Sequence, residues 1–337
     1  MNLIDMKKEL QNGNLEPFSS YLMNALKEKI EKNEKILLFI NSRGFSPFIL
    51  CFFCGRVLKC LICNSNLIFF STKKILKCCF CNYKKEFLFK CFFCKKKLLK
   101  QISFGIEYIE DFLKKKFDNK IKIARIDSDS ISGSQQYKQI IKEYKENKID
   151  ILLGTEMISK KVSFPGISLV GIIMADVLLN IPTFKSSEKT FQLIIQVAHH
   201  CENKNNIVVQ SYNTEHYSIQ NAINYNIKGF LKKALEDREL SNNPPFVFLS
   251  KIIIYNKSIM KLLKVSKKIK IILEESINHK IKVFGPSFPR IFKKNNIYRV
   301  FLTIKYKDWP LNLDLINQYI SQDSSIFIYF DLFANIV

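Results

Sequence analysis

Residues 51–94 read CFFCGRVLKCLICNSNLIFFSTKKILKCCFCNYKKEFLFKCFFC and contain four Cys-x-x-Cys pairs. Two thiolates at this spacing can hold one side of a zinc ion, and a second pair completes the tetrahedron. Eight thiols in four pairs therefore match the ligand count of two Zn2+ ions. The predicted ligands are Cys51, Cys54, Cys60, Cys63, Cys78, Cys81, Cys91 and Cys94.

The pairing of these four motifs is not decided by their number, because four pairs can combine in three ways. Spacing favours a nested arrangement, since residues 64–77 are long enough for a hairpin that brings the second pair onto the third. The outer ion is then predicted on Cys51, Cys54, Cys91 and Cys94. The inner ion is predicted on Cys60, Cys63, Cys78 and Cys81, and Cys79 is a spare thiol.

The residue that follows each pair often needs a positive φ. Glycine and asparagine tolerate this conformation, and they occupy three of the four positions, Gly55, Asn64 and Asn82. The fourth position is Lys95, and lysine tolerates a positive φ poorly. Disulfides or buried thiols are the alternative use of the cysteines. Residues 1–10 lack the apolar core of a secretion signal, so zinc is the favoured interpretation.

The composition is that of a globular protein with two or three domains. The chain has 337 residues, of which 47% are hydrophobic, enough for sizeable buried cores. The longest apolar run, residues 168–179, is interrupted by Asp176 and is shorter than the roughly 18 residues of a membrane span. We expect a cytoplasmic protein without membrane contact.

The charge is strongly positive and concentrated near the cysteines. The formal net charge is +23, and residues 51–100 hold 12 Lys and Arg residues against one acid, Glu86. Eight thiolates bound to two zinc dications still leave this region positive. Such a surface suits the phosphates of nucleic acid, although a merely solvated lysine surface is the alternative.

Strand-like and helix-like segments alternate on both sides of the cysteine region, which predicts a parallel sheet covered by helices. The cysteine module is then an insertion into an α/β domain. Helices are predicted at 19–33, 106–116, 136–147 and 188–198, and strands at 35–40, 121–126, 149–153, 169–174 and 207–210.

The pattern changes after residue 213. A helix is predicted at 218–239, and the prolines at 244–245 break the chain. The order that follows is strand 247–255, helix 258–275, strand 280–284, strand 297–305, helix 311–321 and strand 325–330, which is that of a ferredoxin-like α+β unit. Its aromatic residues could form a base-stacking face, but packing in a core or against a neighbouring domain is the favoured role. They are Tyr298, Phe301, Tyr306, Phe327, Tyr329 and Phe330.

Several short motifs occur in a specific order. They are FINSRGF at 39–45, the eight-cysteine spacing, RIDSD at 125–129, GTEM at 154–157 with FP at 164–165, AD at 175–176 with Pro182 and Phe184, EKTFQL at 188–193, QVA at 196–198 and PPF at 244–246. Together they resemble the bacterial primosomal protein N′ (PriA) family of replication-restart DNA helicases of superfamily 2. The resemblance runs from about Asp5 to the end of the chain.

The resemblance implies a second RecA-like helicase lobe with an inserted two-zinc module and a C-terminal ferredoxin-like domain. The implied boundaries are 1–50 with 95–215 for the lobe, 51–94 for the zinc module, and 216–337 for a helical linker and the ferredoxin-like domain. In this family the zinc module contacts DNA and partner proteins at abandoned replication forks. Nucleotide or DNA contacts carry over to Arg43, Gly154, Thr155, Asp176 and Gln196.

The motifs that handle ATP depart from the family. No Gly is followed by Lys, so a phosphate-binding Gly-x-x-x-x-Gly-Lys-Ser/Thr loop is absent from the sequence, and no Asp-Glu-x-His box is present. After Gln196-Val197-Ala198 the family's Gly-Arg-Ala-Gly-Arg is replaced by residues 199–203, HHCEN. ATP and Mg2+ are thus cofactors by resemblance only, and no ATPase activity is expected of this chain alone.

Three functions are compatible with these sequence features. The first is a replication-restart factor that binds forked or single-stranded DNA without a motor of its own. The second is one lobe of a split helicase, completed by a separately encoded first lobe. The third is a zinc-stabilised scaffold for primosome or single-strand-binding proteins. His199, His200 and Cys201 could form a new metal site, but loss of selection at these positions is the favoured explanation.

Overall fold

The structure is a computed structural model of the 337-residue chain. It describes residues 1–41, 48–51, 53–54, 56–61, 67–70, 75–78, 83–87, 90–97, 99–102, 105–127, 134–161, 164–181, 183–276, 281–289, 293–294, 296–307 and 327–331. None of the helices in these ranges is both long enough and apolar enough to cross a membrane.

Strands and helices are numbered in chain order. The strands β1–β16 are Asn2–Asp5, Lys35–Ile40, Phe48–Cys51, Leu67–Phe70, Ile75–Cys78, Lys84–Glu86, Leu99–Ile102, Ile123–Ile126, Ile151–Gly154, Ile167–Ile173, Ile207–Ser211, Phe248–Asn256, Ile281–Ser287, Lys293–Lys294, Ile297–Tyr306 and Phe327–Asp331. The helices α1–α9 are Met6–Gln11, Ser20–Glu31, Ile106–Lys116, Ser134–Lys145, Glu156–Lys161, Ser186–Ala198, Tyr217–Ile223, Ile227–Leu240 and Ile259–Ser276. Two short 3-10 helices are Ala175–Asn180 and Lys204–Asn206.

The chain forms two compact units. One contains residues 1–58, 89–180 and 185–233, and the other contains residues 59–88, 181–184 and 234–337. The domain boundaries predicted from the resemblance to the helicase family stay a prediction.

The first unit is built on a six-stranded parallel sheet, which confirms the predicted α/β class. Its strand order is β1-β11-β10-β2-β9-β8, and each neighbouring pair is parallel. The central strands β2, KILLFI, and β10, ISLVGII, are almost wholly apolar because helices cover both faces of a parallel sheet. The edge strand β1 was missed, since four residues beside the N-terminus carry little pattern.

Helix α2 shows how the sequence positions one of these covering helices. The side chain of Ser19 caps the helix by accepting a hydrogen bond from the backbone N–H of Leu22, as predicted for a serine at this point. Leu22 and Leu26 are fully buried on the sheet side. Gly171 of β10 lets the helix approach closely, because a Cβ atom there would lie 2.6 Å from Leu38 Cδ2 and 3.2 Å from Leu22 Cδ1.

The cysteine region contributes two small sheets. In the first unit, β3 pairs with β7 as an antiparallel ladder that joins the two ends of the insertion, with Cys51 opposite Leu99. In the second unit, β4, β5 and β6 form a three-stranded antiparallel sheet in which Leu67 lies opposite Cys78. The predicted hairpin between the second and third cysteine pairs corresponds to β4 and β5.

The second unit also contains a four-stranded antiparallel sheet with the order β13-β15-β12-β16. Helix α9 packs on one face through Leu262, Ile269 and Leu273. The strands follow the order expected of a ferredoxin-like unit, but the predicted helix 311–321 lies outside the described residues, so the complete unit stays a prediction.

The aromatic residues of this sheet divide between its two faces. Tyr306 is buried in the core and Tyr298 packs against it, whereas Phe327 and Tyr329 are 67% and 59% exposed. Packing in the core thus holds for Tyr306 and Tyr298, whereas packing of Phe327 and Tyr329 against a neighbouring domain stays a prediction. The edge strand β16 leaves them on the surface because no described helix covers that face.

Candidate metal centre and the carboxyl edge of the sheet

Four cysteines from the two ends of the insertion converge on one point. The Sγ atoms of Cys51, Cys54, Cys91 and Cys94 all lie within 4.8 Å of one another. Cys51 Sγ is 3.5 Å from Cys94 Sγ, and Cys54 Sγ is 3.7 Å from Cys91 Sγ. With Zn–S bonds near 2.3 Å, a regular tetrahedron separates its sulfurs by about 3.8 Å. The group can therefore bind one metal ion, and it is the set predicted for the outer site.

The two Cys-x-x-Cys pairs of this centre have the same local structure. The backbone N–H of Cys51 donates to the carbonyl of Arg56, and that of Cys91 donates to the carbonyl of Lys96, each at 3.0 Å. The N–H of Phe93 also donates to Cys91 Sγ at 3.4 Å. Backbone donors that point at sulfur favour a thiolate, the form that a metal binds. The donor set and its geometry thus fit a structural zinc ion.

Burial opposes ionisation of two thiols of the centre, Cys54 and Cys94, but the net shifts of their pKa values differ. It raises the pKa of Cys54 to about 12, so this thiol is protonated near pH 7. Burial acts in the same direction on Cys94, but the backbone N–H of Lys96 and the neighbouring thiols outweigh it and lower the pKa of Cys94 to about 7. Metal uptake must therefore displace protons from the centre.

Lys95 adopts the left-handed conformation that its residue type does not favour. Its φ is +61°, as expected for the residue that follows the second cysteine of a pair. The same position in the other three pairs, occupied by Gly55, Asn64 and Asn82, lies outside the described residues. A strained lysine at this point costs stability that asparagine or glycine would retain.

Replacing Lys95 with asparagine is expected to stabilise the metal-loaded protein by roughly 0.5–1 kcal/mol, because asparagine tolerates positive φ. Thermal unfolding of the zinc-loaded protein measures the change. Lys97→Asn removes the same charge from an exposed neighbour without a positive φ and is the matched control. An equal effect of both substitutions would attribute the gain to charge rather than to backbone strain.

The inner cysteines are only partly described. Cys60 and Cys78 are buried in the second unit, whereas Cys63, Cys81 and the spare Cys79 lie outside the described residues. The inner zinc site therefore stays a prediction.

Residues 199–201 do not gather into a group of potential metal ligands within the described part of the chain. Within the described ranges, the outer cysteines are the only group of three or more potential ligands that lies close enough to share an ion. Cys201 Sγ instead donates to the carbonyl of Asn203 at 3.3 Å, and the ring of His200 packs 6.1 Å from that of Phe164. Burial lowers the pKa of His200, which favours its neutral form.

The carboxyl edge of the parallel sheet carries a second group of polar residues. Asn41 follows β2 and Thr155 follows the neighbouring strand β9, and both are buried. Neither side chain has a hydrogen-bond partner within the part of the chain that the structure describes. Unpaired buried polar groups are costly, so this edge could be stabilised by a polar group from a ligand or another chain. Asn41 was not predicted as a site residue, although it belongs to the quoted motif at 39–45.

The other residues carried over from the helicase family differ in their surroundings. Gly154 ends β9, where a Cβ atom would lie only 1.9 Å from Ile158 Cδ1. Gln196 is exposed on α6, which ends at Ala198, and Arg43 lies outside the described residues. Their roles toward nucleotide or DNA stay predictions.

Asp176 is fully buried just after β10. Its Oδ1 accepts a hydrogen bond from the backbone N–H of Tyr212 at 3.1 Å, which links the exit of β10 to that of β11. Met174, two residues earlier, has a φ of +57° and turns the chain into the 3-10 helix. Burial raises the pKa of Asp176 despite these backbone donors. The carboxylate of Asp176 therefore has a structural role, because its hydrogen bond to Tyr212 holds the ends of β10 and β11 together.

Replacing Asp176 with asparagine is expected to change how stability depends on pH. A carboxyl whose pKa is raised by folding stabilises the folded protein below its folded pKa, and this contribution is lost as the pH rises through it. The wild type should therefore gain stability relative to Asp176→Asn as the pH falls from 7 toward 4, by about 1.4 kcal/mol per unit of pKa shift. Urea unfolding across this range measures it, with Asp111→Asn on the exposed side of α3 as control. A constant difference would contradict the prediction.

Arg125 forms a cluster of ion pairs that the sequence analysis did not identify. Its guanidinium lies 2.7 Å from Glu107 Oε1, 3.3 Å from Glu110 Oε2 and 3.1 Å from the buried carboxylate of Asp127. The cluster joins helix α3 to the carboxyl end of β8. Glu107 and Glu110 lie three residues apart on one helix, a spacing that could have indicated a shared cationic partner.

Comparison with known proteins agrees with the family resemblance. Replication restart protein PriA of Bacillus subtilis is 33% identical over 310 residues, which cover 91% of this chain and 38% of that protein. PriA of Borreliella burgdorferi is 31% identical over 343 residues, or 99% of this chain and 50% of that protein. PriA of Thermotoga maritima is 29% identical over 310 residues, or 91% of this chain and 41% of that protein.

The chain spans about two fifths to one half of the length of these curated relatives. No protein-family model matches it. The helicase domain of Hef from Pyrococcus furiosus gives a TM-score of 0.27 at 12% identity, covering 56% of this chain and 24% of that chain, which is too low a score to show a shared fold. The sequence similarity shows that this chain is related to part of the PriA sequence.

Proposed function

We propose that this chain is a replication-restart factor that binds forked or single-stranded DNA through a zinc-stabilised cysteine module and has no ATP-driven motor of its own. The observation that carries the proposal is the four-cysteine centre, whose surroundings are basic. Arg56, Lys95, Lys96 and Lys97 are all exposed next to its ligands. A rigid, positively charged surface can neutralise DNA phosphates at low entropic cost.

The proposal includes two zinc ions. The outer ion would be held by Cys51, Cys54, Cys91 and Cys94, and the inner ion by Cys60, Cys63, Cys78 and Cys81. A ferredoxin-like C-terminal domain would follow the helicase-like lobe. Primosome proteins and single-strand-binding proteins are the proposed protein partners.

The lack of a motor is supported by the residues that follow Gln196. Helicases of this family place two arginines there, and loss of an arginine finger typically costs about 10³–10⁵ in turnover. In this chain α6 ends at Ala198, and residues 199–203 contain no Lys or Arg. DNA-stimulated ATP hydrolysis by the purified chain should be indistinguishable from background. Substantial turnover that is abolished by Thr155→Ala would contradict the proposal.

DNA binding is expected to depend steeply on salt. Fluorescence anisotropy with a labelled fork, measured between 50 and 200 mM salt, should give a straight line of log K against log salt. Replacing Lys95, Lys96 and Lys97 with glutamine should reduce the magnitude of its slope by roughly two to three. The matched control is glutamine at Lys138, Lys142 and Lys145, exposed lysines of α4. If the affinity does not change with salt, or if both triple variants reduce the slope equally, the cysteine module is excluded as the DNA contact.

A second candidate function is favoured by the carboxyl edge of the parallel sheet. The buried side chains of Asn41 and Thr155 have no hydrogen-bond partner among the described residues. A separately encoded first lobe would supply partners at this edge, and this chain would then complete a split helicase. The same genome would then encode a lobe with a phosphate-binding loop, and mixing the two chains would produce DNA-dependent ATP hydrolysis. The absence of arginine from residues 199–203 counts against this candidate. A third candidate, a primosome scaffold with little DNA contact, predicts protein partners without salt-dependent DNA binding.

A further inference from the structure

Two half-exposed phenylalanine rings flank the candidate metal centre. Phe53 and Phe93 each precede the second cysteine of an outer pair, and their exposed fractions are 49% and 50%. A cationic side chain from the opposite cysteine pair lies over each ring. Lys96 Nζ lies 5.4 Å from the centroid of the Phe53 ring, and Arg56 Cζ lies 4.8 Å from that of Phe93. We refer to these four side chains as the ring–cation surface.

The rings do not serve as core residues of their unit. The core of this part of the chain is formed by other hydrophobic side chains, such as Ile49 and Leu58, which are almost fully buried. Two half-exposed rings on a small module leave an aromatic surface that is free to contact a partner. The repetition of the arrangement in both pairs makes it a feature of the site and not an isolated surface residue.

The backbone beneath the rings is held in place. Phe93 donates its N–H to Cys91 Sγ, and Cys51 and Cys91 donate to the carbonyls of Arg56 and Lys96, the residues that supply the cations. These hydrogen bonds therefore fix the backbone from which the Phe93 ring and the two cationic side chains extend. A surface fixed in advance loses little entropy on binding.

We infer that the ring–cation surface binds unpaired bases of single-stranded nucleic acid by stacking. The inference rests on the proposed DNA binding and adds the chemical feature that is recognised. Base stacking on aromatic side chains accepts any base sequence, and nearby cations neutralise the strand's phosphates. An apolar protein segment is a poorer occupant, because it would have to desolvate Arg56, Lys96 and the exposed lysines on either side of Lys96 without neutralising them.

The test compares single-stranded and fully paired DNA. Zinc-loaded protein is titrated into a labelled 20-nucleotide thymidine oligonucleotide and, separately, into a blunt 20-base-pair duplex. Phe53→Leu and Phe93→Leu keep the apolar bulk and remove the aromatic face. Each should weaken binding of the single strand by about five- to tenfold and leave duplex binding within twofold. Phe53→Tyr keeps the ring and should bind like the wild type.

Two controls separate stacking from damage to the module. Zinc content is measured on every variant, so that loss of the metal is not mistaken for loss of stacking. Tyr21→Leu removes a ring of similar exposure, 49%, from α2 and should leave both affinities unchanged. As a direct readout, an oligonucleotide that contains 2-aminopurine should be quenched by the wild type and much less by the leucine variants.

Each contrary outcome points to a different error. Leucine variants with normal zinc that keep single-strand affinity within twofold overturn the inference. If glutamine at Arg56 and Lys96 weakens binding in that case, the module contacts phosphates only, and the proposed DNA binding stands. Equal losses on single strand and duplex exclude recognition of unpaired bases. A wild type that binds neither DNA overturns both proposals, and it leaves a protein segment as the occupant of the surface.

Discussion

Alanine at Cys91 is expected to remove one zinc ion per chain and to unfold the outer part of the cysteine module. Cys91 is buried, and its Sγ atom lies 3.7 Å from that of Cys54 within the four-cysteine centre. Structural zinc sites supply binding free energy that is also folding free energy, so three remaining thiols should lose at least about 100-fold in zinc affinity. Metal analysis after dialysis against a competing chelator measures the stoichiometry, and thermal unfolding measures the stability.

Cys201→Ala is the matched control for this experiment. Cys201 is equally buried in the same unit, but its thiol bonds to the carbonyl of Asn203 and takes no part in the centre. The variant should keep the full zinc content and lose only about 1–2 kcal/mol of stability from the small cavity. Full zinc retention by Cys91→Ala would show that the convergence of the four thiols does not reflect metal binding.

The same comparison tests the inner site. Cys60→Ala should also remove one ion per chain if two zinc ions are bound, and the double variant with Cys91→Ala should remove both. A wild type that holds a single ion, lost in Cys91→Ala and kept in Cys60→Ala, would restrict the zinc proposal to the outer centre.

The outer quartet could be predicted because metal ligation leaves a short-range pattern in the sequence. Two cysteines can bind the same ion when two residues separate them, and this spacing is visible in the sequence. The longer spacer between the second and third pairs indicated that these two pairs lie inside the first and fourth. The parallel sheet was equally accessible, because strands that are buried on both faces, such as β2 and β10, are almost continuously apolar.

Contacts between residues that are far apart in the sequence could not be predicted from such local patterns. The reciprocal contacts of Phe53 with Lys96 and of Phe93 with Arg56 arise only when the two outer pairs come together. Likewise, the burial of Asp176 follows from the parallel exits of β10 and β11, which no local pattern specifies. A residue carried over from a family by its motif can thus have a packing role that the motif does not reveal.

The exposure of the aromatic residues on the C-terminal sheet could not be predicted either, for a related reason. Alternation along β15 predicts that neighbouring residues point to opposite faces, but it does not say which face a helix covers. Packing of α9 settles this by burying Val300, Leu302 and Ile304. The opposite face then holds Phe301, whose ring lies 4.7 Å from Lys251 Nζ.

Alanine at Arg125 is expected to destabilise the first unit by about 2–4 kcal/mol. The guanidinium is the shared partner of three carboxylates, and one of them, Asp127, is only 3% exposed. Removal of one member of a buried ion pair leaves a charge in a poorly solvated site, which costs far more than loss of a surface pair. Chemical unfolding followed by circular dichroism measures the change.

Two further variants distinguish the loss of this charge from the loss of a large side chain. Lys148→Ala breaks a pair with Glu146 in which the lysine is 60% exposed, and it should leave the stability almost unchanged. Adding Asp127→Asn to Arg125→Ala neutralises the buried carboxylate and should recover part of the lost stability. If the double variant is as unstable as the sum of the single changes, the cluster acts by packing alone, and α3 is held to β8 without a net contribution from charge.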